Sequence, residues 1–379
     1  MKTDIVANLL SHPYYQGYSG NFDTYPIISK KEAQIISSMS RGDFVARTSG
    51  SSGVFLNVKW NKQDYFVSNS YLWKLRKRYG VKPSDIYVTN HAVLYDKELY
   101  PCVHSIIVRN NCISLSKTLL DEANLKKYVE ILTEKNPTFL MLQPSFALIL
   151  GQYAKKHNVD ITSKLKLIEL TGEYLHSDVY CSLKKIYHGV PIHNLYGMQE
   201  FNGIAYGDDN ELQVINDNVY VEILDDNGNK VPSRESGNIV VTGYSNSVMP
   251  LIRYKTGDIG RWIDEGHSIQ LLVSKSNDLL SNNNVFYDGS VFLAITEKIN
   301  FLLDEDISQF QYVLKNNILH CYFNIIGIDK GSTEQLDIIV KEQVRKHLKY
   351  AFDDILVFVN NNIPYISTEK IKYFINEDV

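Results

Sequence analysis

The sequence predicts an α/β fold: a large amino-terminal domain of layered sheets and helices plus a β-rich subdomain, joined by a hinge to a small α+β carboxy-terminal domain. Strand-like and helical segments alternate as far as about residue 200, which is typical of parallel α/β layers. From about residue 211 the pattern changes to short alternating strands separated by turns, and a polar, asparagine-rich stretch follows. We therefore expect a large domain at residues 1–273, a hinge at 274–284 and a small domain at 285–379.

Residues 1–25 are polar and aromatic-rich with little periodicity, and we expect them to form a short leader. The next elements are expected to be helices over 31–40 and 63–79 and, between them, strands over 43–47 and 54–60. The alternating region then predicts helices at 120–135, 144–158 and 177–188, and strands at 137–143, 165–172 and 190–197. Strand-like runs follow at 211–218, 219–229 and 236–244, with a hairpin turn at 226–229.

Bulk composition excludes some classes of protein. The 379 residues are 44% hydrophobic and 22% charged, with a net charge of −4 whose signs are interleaved, so no basic footprint for nucleic acid or membrane is present. No window approaches the roughly 18 apolar residues of a membrane span, and the first residues lack a signal-peptide core. The four cysteines lie far apart without a Cys-x-x-Cys pair, which favours reduced thiols in a cytoplasmic protein.

A loop of six small residues lies between the strands at 43–47 and 54–60. Its members are Thr48, Ser49, Gly50, Ser51, Ser52 and Gly53. Glycine allows the backbone to turn its N–H groups inward, and hydroxyls add donors, so such a loop can hold a polyphosphate. A Walker loop is excluded because no Gly-Lys-Ser/Thr ending or helix follows directly. A flexible hairpin turn has the same composition.

Four further segments line up with this loop: 171–173 (TGE), 194–200 (NLYGMQE), 249–261 (MPLIRYKTGDIGR) and 363–372 (IPYISTEKIK). In order and spacing they resemble the adenylate-forming superfamily of acyl-coenzyme A synthetases, carrier-protein adenylation domains and luciferases. The segment at 249–261 is most similar to the phenylacetate–coenzyme A ligase branch. The resemblance runs from about residue 24 to the end.

The resemblance implies a role for each segment. The loop at 48–53 would hold the β- and γ-phosphates of ATP, and Glu200 would bind Mg²⁺. Tyr196 would lie against adenine, Asp258 would accept hydrogen bonds from the ribose hydroxyls, and Lys370 would reach the acyl carboxylate and α-phosphate as the catalytic lysine. Further nucleotide contacts are implied at Gly172, Glu173, Asn194, Gly197, Gln199 and Arg261, and an acid pocket at Phe146, Gly197 and Met198.

Each of these residues also has a plainer interpretation. Asp258 next to a glycine could be a turn residue, and Tyr196 and Met198 could be core packing. Glu200 could be a solvated helix start, and Lys370 could face solvent. The co-occurrence of the motifs in the family's order favours the functional interpretation.

The sequence also departs from the family pattern. Gln199 replaces a threonine, Glu369 replaces a glycine before Lys370, and Phe55-Leu56 replaces Pro-Lys. The hinge motif matches loosely, with Asp278 as the hinge candidate. These departures concern mainly the second half-reaction, in which the acyl group passes from the adenylate to the acceptor, rather than the adenylation.

The implied activity is activation of a carboxylic acid, expected to be aromatic and from a natural-product pathway, by Mg·ATP. The products would be an acyl-adenylate and pyrophosphate, and the acceptor would be coenzyme A, a carrier-protein thiol or a reductase. The alternative is a non-catalytic nucleotide or acid sensor. A serine hydrolase is disfavoured because no Gly-x-Ser-x-Gly elbow is present.

Overall fold

The structure is a computed structural model, and it describes most but not all of the chain. The described residues are 9–18, 22–47, 56–91, 104–117, 119, 122–175, 177–273, 280–282, 285–287, 289–303, 307–325, 330–348, 350–359, 363 and 374–378. The small-residue loop at 48–53, the hinge candidate Asp278 and the catalytic candidate Lys370 therefore lie outside the described residues.

The helices are α1 (Lys30–Met39), α2 (Lys62–Lys77), α3 (Glu122–Lys135), α4 (Pro144–Lys156), α5 (Ser177–Ile186), α6 (Gly289–Leu303) and α7 (Lys330–His347). The first strands are β1 (Phe44–Arg47), β2 (Asn57–Trp60), β3 (Tyr87–His91), β4 (Ile106–Arg109), β5 (Cys112–Ser116), β6 (Phe139–Leu142), β7 (Leu167–Thr171), β8 (Ile192–Met198), β9 (Asn202–Asp208) and β10 (Glu211–Val214). The remaining strands are β11 (Val219–Leu224), β12 (Gly237–Gly243), β13 (Tyr254–Asp264), β14 (Ser268–Val273), β15 (Leu280–Asn282), β16 (Val285–Tyr287), β17 (Ile307–Lys315), β18 (Ile318–Ile325), β19 (Asp354–Val359) and β20 (Phe374–Asn376).

The predicted α/β class is confirmed, and the chain divides into two compact units. The first comprises residues 1–48, 55–88 and 132–275, and the second comprises 49–54, 89–131 and 276–379. The break after residue 275 falls within the predicted hinge. The proposed domain limits stay a prediction.

One sheet organises the first unit, in the order β11-β12-β13-β14-β10-β9-β8-β7-β6-β3. Strands β6, β7 and β8 are parallel, because α4 and α5 carry the chain back so that each strand starts at the same end of the sheet. Strand β6 is wholly apolar, as expected of a strand covered on both faces, whereas β7 and β8 also carry the polar residues Glu169, Thr171, His193 and Asn194. From β8 to β14 the neighbours run antiparallel, and β11 and β12 pair antiparallel on either side of the predicted hairpin turn at 226–229.

The described residues of the predicted leader, 9–18 and 22–25, pack into the core. Tyr15 and Phe22 are buried in the same apolar cluster as strands β11 to β14. The Tyr15 hydroxyl donates to the carbonyl of Pro250 at 3.1 Å. The aromatic residues of this segment show no periodic spacing in the sequence, because they reach the core from backbone that is neither α-helix nor strand.

The second unit contains a four-stranded sheet in the order β19-β18-β17-β20. Strand β18 alternates half-buried and buried residues, so one of its faces is packed. Leu336, Val340 and Val344 of α7 are buried at helical spacing. This is the small α+β arrangement that the sequence predicted. No helix among the described residues of the chain is long and apolar enough to cross a membrane.

Candidate active site

Strands β1 and β2 flank the small-residue loop and pair with each other. They are antiparallel, with Arg47 opposite Asn57, so the chain leaves and re-enters this hairpin at neighbouring positions. The indole Nε1 of Trp60, in β2, donates to the carbonyl of Gln199 at 3.1 Å. The strand that follows the loop is thereby tied to the segment carrying Glu200.

Strand β8 sends the predicted nucleotide-binding side chains to one face of the sheet. Tyr196 packs into the cluster that contains Ile28 and Tyr254, whereas Leu195 packs with Leu72 of α2 on the other side. This alternation follows from the two-residue period of a strand. Tyr196 therefore lies on the side of the sheet away from α2.

Tyr196 and Asp258 are brought together although they lie 62 positions apart in the chain. The Tyr196 hydroxyl donates to Asp258 Oδ2 at 2.8 Å, and both side chains are buried. Burial, then the charge of Asp258, raises the pKa of Tyr196 well above its ordinary value, so the hydroxyl keeps its proton. One Asp258 oxygen is thus engaged by the protein itself.

Asp258 lies within strand β13 and is not a plain turn residue. Gly257 just before it has φ +79°, a conformation that suits glycine, and the register with β12 shifts along this stretch. The Asp258 N–H donates to Thr256 Oγ1 at 3.0 Å. The positive φ at Gly257 and the register shift set the direction of the Asp258 carboxylate. The positive φ explains why the preceding residue is a glycine.

Glu200 lies in the turn after β8 and is not a solvated helix start. It is buried, and its Oε1 accepts a hydrogen bond of 3.2 Å from the Tyr254 hydroxyl at the start of β13. Burial, then the charge of Glu200, raises the pKa of Tyr254 well above its ordinary value, so it too remains a donor.

Glu173 and Asn194 hold neighbouring backbone in place. The Glu173 carboxylate accepts from the N–H and hydroxyl of Ser145 at 3.1 and 2.9 Å, at the amino terminus of α4. The Asn194 amide donates to the carbonyl of Asp209 at 2.7 Å, bracing the β9–β10 turn. Gly172, beside them, has φ +85°.

The other predicted residues occupy varied positions. Arg261 donates from Nε to Gln270 Oε1 on β14 at 2.8 Å, and Gln199 is exposed. Gly197 is required for close packing, because a Cβ there would overlap the carbonyl oxygen of Asn202. Phe146 is fully buried in α4, and Met198 packs against the main core cluster.

The donor set fits a magnesium ion that arrives with phosphates. No group of three or more His, Cys, Asp or Glu side chains among the described residues is placed to hold a metal by itself. Mg²⁺ commonly takes one or two carboxylates plus substrate phosphates rather than a protein cage. Glu200, with one oxygen held by Tyr254, can supply such a carboxylate.

A separate groove of about 940 Å³ lies between α2 and the sheet. Its lining includes Lys74 and Arg78 from the helix side, and His193, Tyr206 and Asp208 from the strand side. None of the predicted site residues that the structure describes lines it, and Tyr196 faces the opposite side of the sheet.

Two residues of the site were missed by sequence reasoning. Tyr254 belongs to the quoted RYKTGD segment, but its partner is 54 positions away. Arg253 beside it has φ +53° and a buried double hydrogen bond to Glu222 at 3.1 Å. It also donates to the carbonyls of Asp23 and Tyr25, fixing the amino-terminal segment against this strand.

Residues 44–250 match the family described as AMP-binding enzyme. A phenylacetate-coenzyme A ligase from Pseudomonas putida is 25% identical over 143 residues. That match spans 36% of this chain and only 32% of the ligase.

Among solved structures, 2-hydroxyisobutyryl-CoA ligase is similar in fold. Its complex with 2-HIB-AMP and CoA in the thioesterification state gives a TM-score of 0.60 at 15% identity, covering 99% of this chain and 90% of that one. Its postadenylation state with 2-HIB-AMP gives 0.56 at 15% identity, covering 99% and 89%. These likenesses show that the fold is shared.

Proposed function

Because the chain belongs to the AMP-binding enzyme family, we propose that it activates a carboxylic acid with ATP to give an acyl-adenylate and pyrophosphate. The observation that carries the proposal is the pairing of three motif residues from distant segments, namely Tyr196 with Asp258 and Glu200 beside them through Tyr254. In the plainer interpretation, as turn and core residues, they would have no reason to meet in one buried polar group.

Each residue of the site has its own role in this proposal. Asp258 offers its remaining acceptor capacity to the ribose hydroxyls, while Tyr196 presents a ring to adenine. Glu200 holds Mg²⁺, which when bound neutralises phosphate charge. Lys370 and the loop at 48–53 act on the acyl carboxylate and the leaving pyrophosphate, where positioning and charge neutralisation lower the barrier.

The acid is proposed to be aromatic, on the strength of the phenylacetate-coenzyme A ligase relative. The thiol acceptor is proposed to be coenzyme A, with a carrier protein or a reductase as alternatives. We further propose a natural-product pathway and a cytoplasmic location.

Acid-dependent exchange of labelled pyrophosphate into ATP tests the adenylation step directly. The panel contains arylacetic, aryl and short hydroxy acids, each assayed with and without coenzyme A. We expect exchange with at least one aryl acid, and consumption of coenzyme A with the same acid. Short hydroxy acids acting best would contradict the aromatic assignment alone.

Lys370→Ala is expected to lower exchange by roughly 10²- to 10³-fold, the usual effect of removing one group that stabilises transition-state charge. Lys372→Ala, two residues along the same charged segment, is the matched control and is expected to leave exchange within about twofold. Equal rates for the Lys370 variant and the native protein would refute the catalytic assignment. ATP binding without exchange for any acid would favour a sensor.

A further inference from the structure

The two buried tyrosine–carboxylate pairs of the first unit are reciprocal. Tyr196 and Glu200 belong to the β8 segment, whereas Tyr254 and Asp258 belong to the β13 segment. Each segment supplies one tyrosine and one carboxylate, and each tyrosine donates to the carboxylate of the other segment. All four side chains are at most 9% exposed. The pairing therefore locks the two segments together at the candidate site.

The position of Tyr254 is fixed by its backbone on both sides. The N–H of Ile28 donates to the carbonyl of Arg253, and the N–H of Lys255 donates to the carbonyl of Ile28, each at 2.9 Å. The Tyr254 ring also packs against Phe201, with centroids 5.9 Å apart. A hydroxyl carried on so constrained a ring has one place to donate its proton, and Glu200 Oε1 is there.

We propose that Tyr254 is a positioning residue that fixes the Glu200 carboxylate for magnesium, an inference that rests on the function proposed above. A glutamate side chain has three rotatable bonds, and Mg²⁺ demands near-ideal octahedral geometry. Holding Oε1 by a hydrogen bond restricts the rotation of the carboxylate and so fixes the direction in which it can face a cation. Outer partners of metal ligands typically account for 10- to 100-fold in metal affinity.

Packing alone would also place a tyrosine here, and Tyr254→Phe separates the two explanations. Phenylalanine keeps the ring and its contacts and removes only the donor. Mn²⁺ serves as the probe in place of Mg²⁺, and its free concentration is followed by electron paramagnetic resonance in the presence of ATP and full-length protein. We expect Mn²⁺ to bind roughly 10- to 100-fold more weakly to the variant. Binding of metal-free ATP, measured by calorimetry, is expected to stay within about twofold.

Tyr196→Phe is the matched control because it removes the donor of the other pair. It is expected to weaken binding of metal-free ATP, since Asp258 loses its partner, and to leave Mn²⁺ affinity at saturating ATP within about twofold. The contrast between the two variants would not arise if each merely loosened the core. Thermal melting of both variants confirms that they are folded.

A double variant tests whether Tyr254 acts through Glu200. Glu200→Asp shortens the carboxylate and withdraws it from Tyr254, so it should weaken Mn²⁺ binding by itself. Adding Tyr254→Phe to it should cause little further loss, as expected for coupled neighbours. Full additivity, or native Mn²⁺ affinity in Tyr254→Phe alone, overturns the inference. If the native protein exchanges pyrophosphate, the proposed function still holds in that case. If it neither exchanges pyrophosphate nor binds nucleotide, the proposed function is wrong as well.

Discussion

Asp258, the proposed ribose ligand, is held at one oxygen by Tyr196. The Tyr196 hydroxyl donates to Oδ2 at 2.8 Å, which fixes the direction of the carboxylate. Within the predicted site, removing the Asp258 carboxylate should weaken the binding of nucleotide more than the binding of metal.

Asp258→Asn is expected to raise the KM for ATP about tenfold or more, because hydrogen bonds to a charged group are worth about 1.5–3 kcal/mol. The KM for the acid should change little. Asp264→Asn, on the exposed end of the same strand, is the matched control. Steady-state exchange rates at varied ATP measure the effect, and an unchanged KM would remove Asp258 from the nucleotide site.

His12 makes the stability of the first unit sensitive to acid. Its Nδ1 accepts from the N–H of Tyr14 at 3.3 Å and its Nε2 lies 3.1 Å from Ser40 Oγ, so the geometry assigns a neutral ring. Burial lowers its pKa from the usual 6.5. Below pH 6.5 the unfolded chain therefore binds a proton that the folded chain refuses, and stability falls as pH falls.

His12→Asn keeps an acceptor for the Tyr14 N–H but does not titrate. Free energies of unfolding from urea melts at pH 7.5 and 5.5 are expected to differ less in the variant than in the native protein, by at most about 1.4 kcal/mol per pH unit. Burial lowers the pKa of His91, in the second unit, as well, so the chain as a whole should keep part of its acid sensitivity. A variant with the native pH dependence would exclude His12 as its source.

At the scale of elements, a buried ion pair fastens α2 to the sheet. Arg76 donates from Nε and Nη2 to both oxygens of Glu169 on β7, at 3.0 and 2.6 Å. The rings of Trp73 and Phe139 lie about 5 Å from the guanidinium. The pair therefore fixes how α2 packs on β7.

Arg76→Met should destabilise the protein by about 3–5 kcal/mol, because Glu169 is left buried without a counter-charge. Lys77→Met, the exposed neighbour, should stay within about 0.5 kcal/mol. The combined change Arg76→Met with Glu169→Leu should recover much of the loss, since no lone charge remains. Denaturant melts measure all three, and a mild effect of Arg76→Met would show that water reaches Glu169.

The sequence predicts the helices and strands more completely than the side-chain contacts between them. The alternating segments predicted α4, β7, α5 and β8 because apolar periodicity is a local signal. The engagement of Glu173 with Ser145 could not be foreseen in this way, since it depends on the loop after β7 meeting the amino terminus of α4, 28 positions away in the chain. The same holds for Tyr254 and Glu200, whose meeting follows from the register of the sheet.

At the scale of the whole molecule, membership of the AMP-binding enzyme family was predicted from the order of short motifs. The motifs are short and lie far apart in the chain, so their order carries the signal rather than any single one of them. The limits of the small domain and its hinge remain predictions, since a composition shift marks a boundary only within a few residues.

Asp278→Pro tests the hinge by fixing φ at this position. Pyrophosphate exchange is expected to stay within about threefold, while transfer to coenzyme A should fall at least tenfold if the second half-reaction needs rotation there. Asn284→Pro, at the other end of the stretch 274–284, is the control. Equal losses in both reactions would place the hinge elsewhere.

The contact between Glu173 and Ser145 has a consequence for altering substrate choice. Phe146, the acid-pocket candidate, immediately follows Ser145 in α4, so this candidate and the loop at 172–175 share one anchor. If both have the proposed roles, directed evolution at Phe146 toward bulkier or smaller acids is expected to shift that anchor and change ATP affinity in the same step. Libraries that vary Phe146 together with Tyr174 should therefore recover active variants that single-site libraries discard.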